Sequence, residues 1–160
     1  MDADAVFAVA GYWDGDVWVE GDYHLKSAAG RWDAGAQAWV YDDVTSPCVD
    51  AGDPVSDWRG EFWPHGGRIN MGAYGGTRWA SMSLNPVGSL ADVDNDGSVG
   101  LGDFGVIARK WGYDADGGGQ AALWEAGQGP PYRGDLDRDG VVGLSDLAVF
   151  AEGWLIAFSY

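Results

Sequence analysis

Residues 92–103 read DVDNDGSVGLGD, and residues 135–146 read DLDRDGVVGLSD, the same frame 43 positions later. The match continues beyond both strings through Val106/Val149, Ala108/Ala151 and Trp111/Trp154. Each copy sets three aspartates on alternate residues, then a glycine, then a fourth acid: Asp92, Asp94, Asp96, Gly97 and Asp103, and again Asp135, Asp137, Asp139, Gly140 and Asp146. Carboxylates this close repel one another. A chain that folds around such a cluster needs a group that offsets the charge, and that need constrains the fold more than any other feature.

Numbered from its first aspartate, each loop offers acids at positions 1, 3, 5 and 12. An oxygen-only donor set of this density suits Ca²⁺, which takes six to eight oxygen ligands, and the spacing is that of the EF-hand loop. Glycine at position 6 permits a sharp turn. Position 7, Ser98 or Val141, then supplies a backbone carbonyl. Asp92, Asp94, Asp96, Ser98 and Asp103 form one expected ion site; Asp135, Asp137, Asp139, Val141 and Asp146 form the other. Valine at position 8 (Val99, Val142) is expected to bridge the two loops. Position 12 is Asp where Glu is usual, so the loop must draw in to reach the ion. Two bound ions would move the formal charge from −16 to about −12, and metal-coupled folding is expected. A single loop of this kind also fits a plain Asp/Gly turn. Two copies in one register favour the metal.

An amphipathic helix is expected after each loop. Phe104, Ile107, Ala108 and Trp111 fall at helical spacing, and Leu147, Phe150, Ala151 and Trp154 repeat the stripe. The preceding SLNPVGSL and GQGPPYRG contain Pro and Gly, which break helices. Each unit is therefore a loop with an exiting helix only. QAALWEA, between the repeats, is expected to make one or two helical turns.

The first half has a different texture. DVWVEGDYHLK and QAWVYDD alternate in the manner of short strands, while AGDP, PHGG and AYGGT are turn signals. SLNPVGS marks a boundary, which gives a β-rich segment over 1–85 and a loop–helix domain over 86–160. Residues 1–90 and 91–160 each carry a net −8. A surface so acidic repels nucleic acid and anionic membranes, and no apolar run is long enough to span a bilayer. Cys48 is the one cysteine, so there is no internal disulfide framework. MDADAVFAVAGYW is not a signal peptide. An extracellular or cell-surface location then requires a signal elsewhere, and the chain is expected to be the C-terminal part of something longer.

The paired strings DVDNDGSVGLGDFGVIARKW and DLDRDGVVGLSDLAVFAEGWL resemble a type I dockerin over about residues 88–157. The resemblance implies a small all-α domain with two Ca²⁺ loop–helix units, set at the end of a secreted polysaccharide-degrading enzyme and docking onto a cohesin-like protein or a cell-surface receptor. It places partner contacts at Leu101, Gly102, Arg109, Lys110, Leu144 and Ser145. Dockerins carry a hydroxyl pair at positions 10 and 11, where this chain has Leu101–Gly102 and Leu144–Ser145; a basic pair, Arg109–Lys110, is present in the first unit only. GDYHLKS, SPCVDAGDP and RINMGAYGGT resemble the closing segment of right-handed parallel β-helix proteins, many of which act on polysaccharides. That resemblance implies that residues 1–85 are the last coils and cap of such a helix. The function expected is a calcium-dependent docking module on a secreted polysaccharide-associated protein. The alternative is a fragment of a polysaccharide lyase or glycoside hydrolase that contributes substrate contacts.

Catalysis would have to draw on His24, His65, Lys26, Arg31, Arg59, Arg68 and nearby acids. A lyase needs a base beside a cation, and a glycosidase needs two carboxylates at a set separation. The sequence fixes neither geometry, and structural roles for His24 and Arg68 are the simpler expectation. Cys48 reads as a small buried residue. The many tryptophans of the first half leave two readings open, core filling or an exposed surface on which sugar rings stack.

Overall fold

The computed structural model describes residues 4–113 and 132–157. The expected helical turns of QAALWEA lie outside them. The chain divides into two compact units, Met1–Val87 and Gly88–Tyr160.

The first unit contains six short strands: β1 (Phe7–Val9), β2 (Tyr12–Asp14), β3 (Val17–Val19), β4 (Asp22–Leu25), β5 (Arg31–Asp33) and β6 (Ala38–Val40). They form three two-stranded antiparallel sheets, β1–β4, β2–β3 and β5–β6. This corrects the expectation of terminal parallel β-helix coils. The reason is the length of the connections. Asp14 pairs with Val17, so only Gly15 and Asp16 join β2 to β3, with Gly15 at φ +60°. Asp33 pairs with Ala38 across a four-residue loop that ends on Gln37 at φ +51°. Such turns close hairpins, whereas parallel neighbours need a crossover of a dozen or more residues. The first two sheets are one long hairpin. Val9↔Asp22, Tyr12↔Val19, Trp13↔Trp18 and Asp14↔Val17 share a register, which shifts only at Phe7↔Leu25.

After β6 the chain runs to Val87 without a described strand, and side chains satisfy its backbone. The Ser27 hydroxyl donates to Met82 O (2.6 Å) and the Ser81 hydroxyl to Leu25 O (2.6 Å). These bonds tie the 80–83 segment to the hairpins around a core of Leu25, Trp32, Trp58, Ala80 and Met82. Asn70 is the hub of the network. Its Oδ1 accepts Asp50 N–H (2.7 Å), its Nδ2 donates to Ser81 O (2.7 Å), and its own N–H donates to Glu61 Oε1 (2.8 Å). Asn70→Ala leaves the half-buried Asp50 N–H and the buried Ser81 carbonyl without their partners and is expected to lower the stability of this unit by about 1–3 kcal/mol. An unchanged urea midpoint would show that other groups replace these bonds.

The second unit contains two nine-residue helices, α1 (Leu101–Arg109) and α2 (Leu144–Glu152). The rest of its described residues form loops, turns and isolated bridges. The expected all-α domain is therefore corrected as well: the chain is a small β-rich protein with two short helices. The helix face also differs from the predicted stripe. Phe104, Ala108, Trp111, Ala151 and Trp154 are exposed, while Asp103 and Ile107 in α1 and Asp146 and Phe150 in α2 are buried. Val106, Leu147 and Val149 pack against the core from the side. Each helix is rotated because its first-turn aspartate turns inward to hold the preceding loop.

Valine at position 8 does not join one loop to the other. Val99 N–H donates to Ile156 O (2.7 Å) and Val99 O accepts from Leu155 N–H (2.9 Å); Val142 N–H donates to Tyr113 O (2.9 Å) and Val142 O accepts from Gly112 N–H (2.9 Å). Each loop is thus held by the segment that follows the other helix. Val99, Val142, Ile107, Phe150 and Leu136 fill the core between them.

Candidate metal centre

The two loops have the same backbone. Position 4 is left-handed in both, Asn95 at φ +59° and Arg138 at +61°, and position 6 follows with Gly97 at +96° and Gly140 at +88°. Asn95 is a tolerable occupant of that region; the glycines adopt it without a Cβ penalty. This winding turns alternate aspartates to one side. Carboxylate oxygens of Asp92, Asp94 and Asp96 lie within 4.8 Å of one another, and so do those of Asp135, Asp137 and Asp139.

The loop backbone feeds these acids. Asp92 accepts N–H bonds from Asp96 (3.1 Å) and Gly97 (3.0 Å), and Asp96 accepts from the Ser98 N–H (2.8 Å) and hydroxyl (2.7 Å). Asp135 accepts from Gly140 N–H (3.1 Å), and Asp139 from Val141 N–H (2.8 Å). The position-12 acids are buried behind the triads. Asp103 Oδ1 accepts from Val93 N–H (2.5 Å) and Asp94 N–H (3.1 Å), and its Oδ2 from Gly100 N–H (2.8 Å). Asp146 repeats the pattern with Leu136 (2.5 Å), Asp137 (3.3 Å) and Gly143 (2.7 Å). Each therefore closes its loop onto the helix N-terminus, reaching back to the N-cap as in a capping box.

Charge remains uncompensated. Burial, with the Asp103 and Asp96 charges beside it, raises the Asp94 pKa above the ordinary carboxylate value. Asp135 is pushed up to about 6, first by burial and then by the charge of Asp146. Its Oδ1 is buried with no hydrogen-bond partner. A buried acceptor surrounded by other acids calls for a proton or a cation. An all-oxygen donor set with two copies of one geometry fits a hard divalent ion: Asp92, Asp94 and Asp96 would hold one and Asp135, Asp137 and Asp139 the other, with Ser98 and Val141 following each triad directly.

The residues singled out for partner contacts lie on the first and last turns of the helices. Leu101 and Leu144 are 76% and 75% exposed. Gly102, Ser145 and Arg109 are exposed and Lys110 is half-buried. The catalytic candidates of the first unit fall into small groups, with His24 and Arg31 sharing Asp22 and His65 and Arg59 sharing Trp58. His24 Nδ1 lies 2.6 Å from Asp22 Oδ1, and the ring stacks on Tyr74. Arg31 pairs with Asp42 at 3.1 Å. His65 packs against Trp58, Arg59 lies over the same Trp58 ring, and Arg68 donates to Gly52 O and Ala51 O. Lys26 N–H donates to Val6 O, and Cys48 N–H donates to the Ser46 hydroxyl. Sequence reading passed over Arg133, whose guanidinium donates to Val93 O inside the first loop. Its counterpart in the first repeat is Leu90, so no repeat pattern marks it.

By site geometry the second unit is a candidate divalent-cation module. Among known families, a model described as disaggregatase related matches residues 8–52, in the hairpins of the first unit. No curated protein and no solved structure gives a significant match to the chain.

Proposed function

We propose that the two aspartate loops bind one Ca²⁺ each and that the loaded second unit is a calcium-dependent docking module of an extracellular, polysaccharide-associated protein. The observation that carries the metal assignment is the doubled triad, with Asp135 Oδ1 left buried and unpaired inside it. The docking role rests on the likeness of the loop strings to those of type I dockerins, supported by the exposed Leu101 and Leu144 at matching helix starts. A cohesin-like module or a surface receptor is the partner this reading names. An extracellular setting suits such loops, because external Ca²⁺ modules work at about 10⁻⁴ to 10⁻³ M.

Calorimetric titration of chelator-treated protein is expected to show two equivalents of Ca²⁺, and Asp94→Asn with Asp96→Asn is expected to remove one of them. Absence of binding near two equivalents in the wild type would end the metal assignment. Immobilised cohesins, probed with and without EGTA, test docking separately: retention that ignores the chelator contradicts it.

A further inference from the structure

Of the seven tryptophans of the first unit, Trp39, Trp63 and Trp79 are half-buried and the other four lie at the two extremes. Trp32 and Trp58 are 3% and 8% exposed and belong to the core; Trp13 and Trp18 are 67% and 44% exposed at the tip of the long hairpin. The exposed pair is organised. Trp13 and Trp18 are directly opposed across β2 and β3, with ring centroids 5.4 Å apart in an edge-to-face arrangement. The Trp18 indole N–H donates to Glu20. At Gly11 a Cβ would come within 2.4 Å of the Trp18 ring and 2.6 Å of the Tyr23 hydroxyl, so the missing side chain lets the indole lie down on the backbone. The ring is thereby fixed before anything binds, which reduces the ordering cost of binding.

Charge narrows the occupant. Residues 4–25 contain Asp4, Asp14, Asp16, Glu20 and Asp22 and no Lys or Arg. Nucleic acid, anionic bilayers and uronate polymers are repelled by that surface. An organised aromatic patch of this kind marks an interaction site. Pyranose rings present C–H faces that pack on indoles and hydroxyls that donate to carboxylates, and both acceptor types stand together at this tip. We infer that the hairpin tip is a binding site for a neutral polysaccharide, with Trp13 and Trp18 as the stacking platform and Glu20 as the group that orients Trp18. The site lies in the first unit and needs no metal, so it stands apart from the docking reading.

Native gel electrophoresis of the full chain in gels containing barley β-glucan, xylan, galactomannan or polygalacturonate tests it. Retardation is expected in at least one neutral gel, unchanged by EGTA, and not in polygalacturonate. Trp13→Ala and Trp18→Ala should each weaken the interaction at least tenfold. Both side chains are exposed and each variant loses one cross-strand ring pair, so both should stay folded with a thermal midpoint lowered only slightly; Glu20→Gln keeps both rings and should weaken binding by a smaller factor. No retardation in any neutral gel, as a protein-binding hairpin would give, overturns the inference. So does retardation that survives both tryptophan variants, or that is as strong in polygalacturonate.

Discussion

Asp146→Ala is expected to unfold the second unit while leaving the first folded. The carboxylate is fully buried and accepts three backbone N–H groups, from Leu136, Asp137 and Gly143. Alanine strands all three donors, at about 1–3 kcal/mol each. A unit of this size has a total stability of only about 4–10 kcal/mol, so the loss is of the same order as the whole. The substitution also removes the link between loop and helix, and with it the inward turn that sets the helix face. Asp103→Ala should act alike through Val93, Asp94 and Gly100. Amide exchange reads the result unit by unit. Protection lost throughout residues 132–157, in EGTA and in Ca²⁺ alike, is the expected outcome. Retained protection at Val142 and Phe150 would show that the loop stands without its carboxylate.

The second large effect is a pH dependence set by Glu61 in the first unit. Its side chain is 2% exposed. Burial pushes its pKa up to about 7 from 4.5, the Asp50 charge adds to the rise, and the N–H bonds from Gly76 and Asn70 oppose it. A carboxyl that binds its proton more tightly when folded favours the folded state at low pH. Its contribution is fully present below about pH 4.5, declines as pH rises, and is lost above about pH 7. The span corresponds to about 3 kcal/mol. Glu61→Gln keeps an acceptor for the Asn70 and Gly76 N–H groups and cannot ionise. The variant is expected to be more stable than the wild type at pH 8, by up to about 3 kcal/mol, and close to it at pH 4.5. Urea unfolding at the two pH values measures the difference. A gap that does not change with pH would mean that Glu61 ionises in the folded state as it does in the unfolded one.

Part of this was legible in the residues. Alternate aspartates followed by glycine predict a loop that gathers carboxylates, and the triads at Asp92–Asp96 and Asp135–Asp139 lie together. Helices after both loops followed from the spacing of Phe104, Ile107, Leu147 and Phe150. Their orientation did not, because apolar spacing alone turns Phe104, Ala108, Trp111, Ala151 and Trp154 inward, and the structure exposes all five. Asp103 and Asp146, read in the sequence as the acids that close each loop, are buried, and each accepts three backbone N–H groups. The first half misled in another way. Short alternating segments show that strands form but not which strands pair. The turn lengths at Gly15–Asp16 and at residues 34–37 carried that information, and they specify hairpins. Glu61, Asn70 and Asp50 left no sequence signal, because a buried polar network joins residues from three turns that resemble any other polar loop.

The sequence by itself determined where charge concentrates, where the backbone must turn, and that the second half contains one unit twice. These are local properties, set by side-chain spacing, by glycine's access to positive φ and by Coulomb repulsion among near neighbours. Tertiary structure alone decided that Val99 and Val142 pair with the segments after the opposite helices, and that Trp32 and Trp58 are buried while Trp13 and Trp18 are presented. Each of those outcomes depends on which distant backbone groups lack a partner once the chain is compact, and that competition is settled only when all of them are placed together.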